Sequence, residues 1–197
     1  LLSKKSFFLF GPRSTGKTTL IKEQLKNVKI YDLLKAKTYK DLLKNPELIE
    51  QEYLRENIIV IDEVQKLPSI LDEVHRLIEE KQIKFLLTGS SARKLKHGGA
   101  NLLAGRAWSA SLFPLTSFEI DDFDLIKCLN YGTLPQVYTS SEPIEELESY
   151  VSTYLQEEIK AEAVTRNIQA FTEFLDVIST ANGNEINYEG LASDCQI

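Results

Sequence analysis

Along the first half of the chain, two patterns of apolar and polar positions alternate. Ser6 to Phe10 (SFFLF), Val28 to Tyr31, Ile58 to Ile61 (IIVI) and Ile83 to Leu87 are short, nearly continuous apolar runs. Runs of this length are too short for helices and fit strands buried on both faces of a parallel sheet. Between them the period changes. Lys17 to Asn27 places Leu20, Ile21 and Leu25 at helical spacing, and Leu33 to Arg55 is helical in pattern with a break at Pro46. Pro68 to Lys81 carries Ile70, Leu71, Val74, Leu77 and Ile78 at steps of three and four. Arg106 to Phe113, closed by Pro114, reads as a fifth strand after a Gly- and Lys-containing loop at Lys94 to Gly99. Alternation of strand and helix predicts an α/β fold around a five-stranded parallel sheet, a three-layer sandwich.

Beyond Phe118 the pattern is helical only. Ile144 to Val164 reads as one long acidic amphipathic helix and Gln169 to Ala181 as another. Asn187 is placed to cap a short helix over Glu189 to Asp194. The expected organisation is therefore an α/β domain over 1–118, an all-helical region over 119–182 and a short last stretch over 183–197.

Composition narrows the class. The 197 residues are 43% hydrophobic and 26% charged, which is enough apolar content for a folded core and far from the disordered corner. The longest unbroken apolar runs are four residues, against about 20 for a membrane-spanning helix, so no membrane role is expected. Two cysteines, Cys128 and Cys195, and two isolated histidines, His75 and His97, form neither a disulfide framework nor a zinc pattern. Reduced thiols make the cytoplasm the expected compartment. The chain contains no Met and starts at Leu1, so it reads as a piece of a longer product. Net charge is −6, yet the first forty residues are basic and residues 119 to 162 are acidic. Either the two segments match each other within the molecule or the basic one faces a polyanion.

The chemistry concentrates where strands end. Gly11-Pro12-Arg13-Ser14-Thr15-Gly16-Lys17-Thr18, followed by Thr19, matches the phosphate-loop pattern G-x-x-x-x-G-K-[ST], with a buried strand before it and a helix after it. Backbone N–H groups of such a loop and the positive end of the helix form an anion cradle. Lys17 would span the β- and γ-phosphates of a nucleotide, and Thr18 would offer its hydroxyl to Mg²⁺. Asp62 and Glu63 follow the buried run IIVI at the sheet edge where open α/β sheets bind ligands. There Asp62 would hold Mg²⁺ and Glu63 would orient or deprotonate a water. Ser90, with Thr88 and Ser91, ends the next strand and could reach the γ-phosphate or serve the turn. His75 and His97 read as surface residues, Trp108 as a packed strand residue, and Tyr150, Tyr154 and Leu155 as core.

The runs GPRSTGKTTL, YDLL (31–34), IIVIDEVQKLP (58–68), FLLTGSSARKL (85–95), LLAGRA (102–107), FPLTSFE (113–119) and YGTLPQV (131–137) resemble, in order and spacing, the archaeal and bacterial AAA-type ATPases of the AAA+ superfamily. The resemblance covers about residues 6 to 164. It implies a P-loop NTPase fold, ATP and Mg²⁺ as cofactors, and ATP hydrolysis coupled to a conformational change. Lys17 and Thr18 would belong to Walker A, Asp62 and Glu63 to Walker B, Ser90 to the sensor-1 place, and Gln65 follows the acidic pair as in the family's DE-x-Q. Arg106 would be an arginine finger, in cis or from a neighbouring subunit, or else pair with the acidic segment; self-association follows if it acts in trans. No second sensor arginine is assigned, because Arg166 is the only arginine after Arg106 and its spacing fits no such place. The resemblance implies a helical lid subdomain over 119–182 and the start of a winged helix over 183–197, and DNA binding would fall to that C-terminal region beyond the present chain. Two other readings share the same residues: a switch that holds ATP with little turnover, and an ATPase module auxiliary to a DNA-binding winged helix.

Overall fold

A computed structural model describes residues 4–53, 58–90, 92, 95, 103, 105–153, 168–181 and 183–195. Ser91, Lys94, His97, Tyr154, Leu155 and Arg166, together with the later half of the helix expected over 144–164, lie outside the described residues.

The strands are β1 (Ser6–Phe10), β2 (Lys29–Asp32), β3 (Ile59–Asp62), β4 (Phe85–Gly89) and β5 (Ala107–Ser111). They form one five-stranded sheet in the order β2-β3-β4-β1-β5, and each neighbouring pair is parallel. The helices of this part are α1 (Lys17–Gln24), α2 (Ala36–Lys44), α3 (Leu48–Gln51) and α4 (Ile70–Lys81), followed by α5 (Leu125–Tyr131) and α6 (Pro135–Tyr138). The fold is α/β around a five-stranded parallel sheet, as the alternating pattern predicts, and its strand order suits the P-loop NTPase kind that the resemblance implies.

Side chains of successive strand residues point to opposite faces, and both faces are covered. Phe8, Phe10, Tyr31, Ile59, Ile61, Phe85 and Leu87 form one cluster with Leu42 of α2, Ile49 of α3 and Ile70, Leu71, Val74 and Leu77 of α4. Val60 and Leu86 pack on the other face with Ile21 of α1, flanked by Phe7, Leu9, Leu25 and Ile30. β3 is buried at every position, which is why IIVI shows no alternation.

The chain divides into two compact units, Leu1–Tyr138 and Thr139–Ile197. The second contains α7 (Pro143–Thr153), α8 (Ile168–Thr180) and α9 (Tyr188–Asp194). Asn187 caps α9 as its position suggests, its Oδ1 accepting the Gly190 N–H at 3.1 Å. Among the described residues no helix is long and apolar enough to cross a membrane. Cys128 and Cys195 are free thiols, His75 is exposed, and Trp108 meets Phe7 edge-on while remaining 39% exposed.

Two local features yield tests. Glu50 of α3 accepts from Arg76 and pairs with Lys81 of α4, and Arg76 also bonds Glu73 and Glu80. The Arg76 guanidinium first, and Lys81 second, hold the Glu50 carboxyl below its ordinary range. A depressed folded value means this stabilisation is present above the unfolded pKa of about 4.3 and is lost as pH falls through the folded value. Glu50→Gln should therefore melt below wild type at neutral pH, with the gap closing under acid conditions; a gap independent of pH would contradict the ion pair. At the exit of β1, Gly11 donates to the Gly89 carbonyl while Leu112 donates to the Phe10 carbonyl. A Cβ on Gly11 would stand 2.3 Å from the Leu112 carbonyl oxygen, a backbone atom with little room to yield. Gly11→Ala should cost about 1–3 kcal/mol in urea unfolding, and unchanged stability would contradict this packing.

Candidate functional site

The strand order decides which residues meet. β4 lies between β1 and β3, so Thr88, Gly89 and Ser90 fall between the loop that leaves β1 and the acidic pair that leaves β3. Phe10 is in register with Gly89 and Ile61 with Leu87, so all three exits are level.

The loop after Phe10 wraps its own polar groups inward. Ser14 and Gly16 both take positive φ, 61° and 86°, and Gly16 precedes the first turn of α1. At Gly16 the absence of a Cβ removes the cost of the left-handed backbone. The Thr15 hydroxyl donates to the Pro12 carbonyl at 2.8 Å. Lys17, 6% exposed, donates to the carbonyls of Gly11 at 2.7 Å and Pro12 at 2.8 Å. Its ammonium is thus held over the loop at the positive end of α1, where an anion is favoured.

The acidic pair splits into two roles. Asp62, 4% exposed, accepts from the Thr18 hydroxyl at 3.0 Å and from the Thr88 hydroxyl on its other oxygen. Glu63 has left-handed backbone at φ 60°, an uncommon state for a residue with a Cβ and one that clusters at functional sites. Its N–H donates to Thr88 Oγ1 at 3.1 Å. Gln65 Nε2 donates to the Glu63 carboxylate and, at 3.3 Å, to Ser90 Oγ.

A cleft of about 300 Å³ is lined by Arg13, Ser14, Gly16, Lys17, Thr18, Thr19, Leu34 and Glu63. Burying polar groups is costly unless they are paired, so their location is informative. Among the described residues the buried polar or charged side chains are Ser6, Thr15, Lys17, Asp62 and Thr88. All but Ser6 belong to this edge of the sheet; Ser6 instead accepts the Phe85 N–H at 3.0 Å, at the other end of the strands.

The structure thus gathers the residues of the phosphate-loop motif, Asp62, Glu63 and Ser90 at one edge. Thr18 and Asp62 present a hydroxyl and a carboxylate within hydrogen-bond distance, the hard oxygen donors that suit Mg²⁺. Among the described residues no group of three or more His, Cys, Asp or Glu side chains gathers as a metal site.

Arg106 is not brought to this edge. Ala107 pairs with Ser6, so Arg106 precedes β5 at the amino end of the sheet, the length of β1 away from the loop at about 3.3 Å per residue. There it bonds Glu79 of α4. Of the readings left open for Arg106, a finger in cis is the one this position at the far end of the strands does not favour. Leu34, 58% exposed on the cleft wall, is given no site role by the sequence pattern, although it ends the run YDLL.

The family model described as AAA domain matches residues 3–120, and that of a domain of unknown function (DUF8612) matches residues 122–197. No curated protein matches the chain. Among solved structures, domain III of the replication initiation protein DnaA from Thermotoga maritima aligns at 14% identity and TM-score 0.36, covering 98% of this chain and 85% of that one. A chain of Drosophila ORC bound to DNA aligns at 16% identity and TM-score 0.35, covering 92% of this chain and 53% of that one. With the AAA domain model spanning more than half of its length and the phosphate loop, acidic pair and strand order in place, the chain belongs to the AAA domain family of P-loop ATPases.

Proposed function

We propose that this protein is a Mg²⁺-dependent ATPase. The observation that carries the reading is the line Thr18–Asp62–Thr88, which sets a hydroxyl against a carboxylate at the cleft that Lys17, Thr18 and Glu63 line. Loop N–H groups and Lys17 bind and orient the phosphates. Thr18 and Asp62 would hold Mg²⁺, which supplies charge neutralisation on the phosphate oxygens when bound. Glu63 takes the proton of the attacking water. The water oxygen forms a bond to the γ-phosphorus, and the bond to the β,γ-bridging oxygen breaks, leaving ADP and inorganic phosphate. Catalysis of this kind is chiefly positioning and electrostatics. The preference for adenine rests on family membership and on the absence of an N-K-x-D guanine-reading motif. Nucleotide state would couple to conformation through Glu63 and Ser90, which share Gln65 as a partner.

Lys17→Ala removes a charged donor from the phosphates and should weaken ATP binding by about 100-fold or more, read by calorimetry; unchanged affinity would refute the cradle. Glu63→Gln should retain ATP affinity while lowering turnover by about 10²- to 10⁴-fold. If wild type binds ATP and neither protein hydrolyses it, the switch reading replaces the ATPase. The position of Arg106 at the far end of the strands favours a reading in which a second copy presents it to a phosphate. In that arrangement Arg106→Ala loses turnover but not affinity, and mixing it with Lys17→Ala restores activity; no restoration would remove Arg106 from the mechanism.

A further inference from the structure

Gln65 does something that phosphate chemistry alone leaves unexplained. It lies in the 3-10 turn Val64–Lys66 that follows Glu63, and it is half-buried. Its Nε2 donates both to the Glu63 carboxylate and to Ser90 Oγ. Its Oε1 is buried and has no hydrogen-bond partner, the one side-chain atom in that condition among the described residues. An unpartnered buried carbonyl costs stability that a leucine of similar shape would not incur.

Both facts have one cause. An ionised carboxylate only accepts hydrogen bonds, so the amide must turn its nitrogen toward Glu63, and the oxygen is the atom left over. That oxygen rests over backbone at Gly89, where a Cβ would come within 2.6 Å of it. Glycine at this place lets the carboxamide lie flat against the end of β4. Glu63 is consequently held twice, through its backbone N–H by Thr88 and through its carboxylate by Gln65, while it faces the cleft that Lys17 and Thr18 line.

We propose that Gln65 is a positioning residue that fixes the Glu63 carboxylate on the wall of the phosphate cleft and ties it to the Ser90 hydroxyl. The proton acceptor is then aimed before a water arrives, and a shift of the Ser90 hydroxyl is passed to it through one amide group. This inference rests on the ATPase reading. A base displaced by about 1 Å can lose about 10²-fold in rate.

The test compares steady-state ATP turnover, ATP affinity and melting temperature for wild type, Gln65→Leu, Gln65→Glu, Glu63→Gln and the double variant Glu63→Gln/Gln65→Leu. Gln65→Glu keeps the shape but cannot donate when ionised, and so guards against misfolding of the leucine variant. The expected result is a kcat about 10²-fold lower in both single Gln65 variants, with KM and ATP affinity within about threefold of wild type. The double variant should be no slower than Glu63→Gln, because Gln65 acts only through Glu63. Wild-type kcat in folded Gln65 variants, or further loss in the double variant, would overturn the inference and leave the ATPase reading standing. A wild type that binds ATP without hydrolysing it overturns both, and is told apart by the wild-type rate itself.

Discussion

Asp62 joins two parts of the chain that are far apart in sequence. One carboxylate oxygen accepts from Thr18 at the start of α1, the other from Thr88 near the end of β4. The contact depends on β4 lying between β1 and β3. In the order β2-β3-β4-β1-β5 the loop after β1 is separated from the acidic pair by a single strand, and that strand ends in small and hydroxyl-bearing residues. A bulky residue at Gly89 would collide with Gln65, and the loss of Thr88 would remove partners of both Asp62 and the Glu63 N–H.

The apolar layers serve this edge by fixing its register. Fully buried Ile59, Val60 and Ile61 pack toward alternate faces, so a slip of one residue would exchange the two cores. Asp62 is the next residue in that strand, and its place beside Thr88 is as well defined as the core itself. Strain enters one residue later, where Glu63 takes a left-handed backbone and its neighbours compensate with hydrogen bonds to both its N–H and its carboxylate. A rigid strand ending in a constrained acid is the arrangement expected of a group that must be aimed.

Much of this is readable in the chain because the signals are local. Buried parallel strands show as unbroken apolar runs, the phosphate loop as glycines at fixed spacing, and the acidic pair as charge directly after IIVI. Strand order is not readable, since nothing in SFFLF or FLLTG says which strands pair. That order is what brings Ser90, at the end of β4, against Gln65 after β3; the place of Arg106, by contrast, follows from its position at the start of a parallel strand. β5 has exposed residues on both faces and offers little apolar pattern to locate its partner. Helix α5 leaves no clear pattern for a related reason: none of its residues is buried, although Asp124 caps it by accepting from the N–H groups of Ile126 and Lys127. Orientation of a side-chain amide, as at Gln65, depends on contacts across two strands and leaves no trace in spacing.

The proposed ATPase requires three strand exits to build one nucleotide site, and the most direct measurement of that claim is a crystal structure of the protein with Mg²⁺ and a non-hydrolysable ATP analogue. Phosphates are expected over the N–H groups of Arg13 to Thr18, the ion at the Thr18 hydroxyl on the Asp62 side, and the Glu63 carboxylate facing the γ-phosphate. A nucleotide bound elsewhere, or an ion held without Thr18 and Asp62, would contradict it.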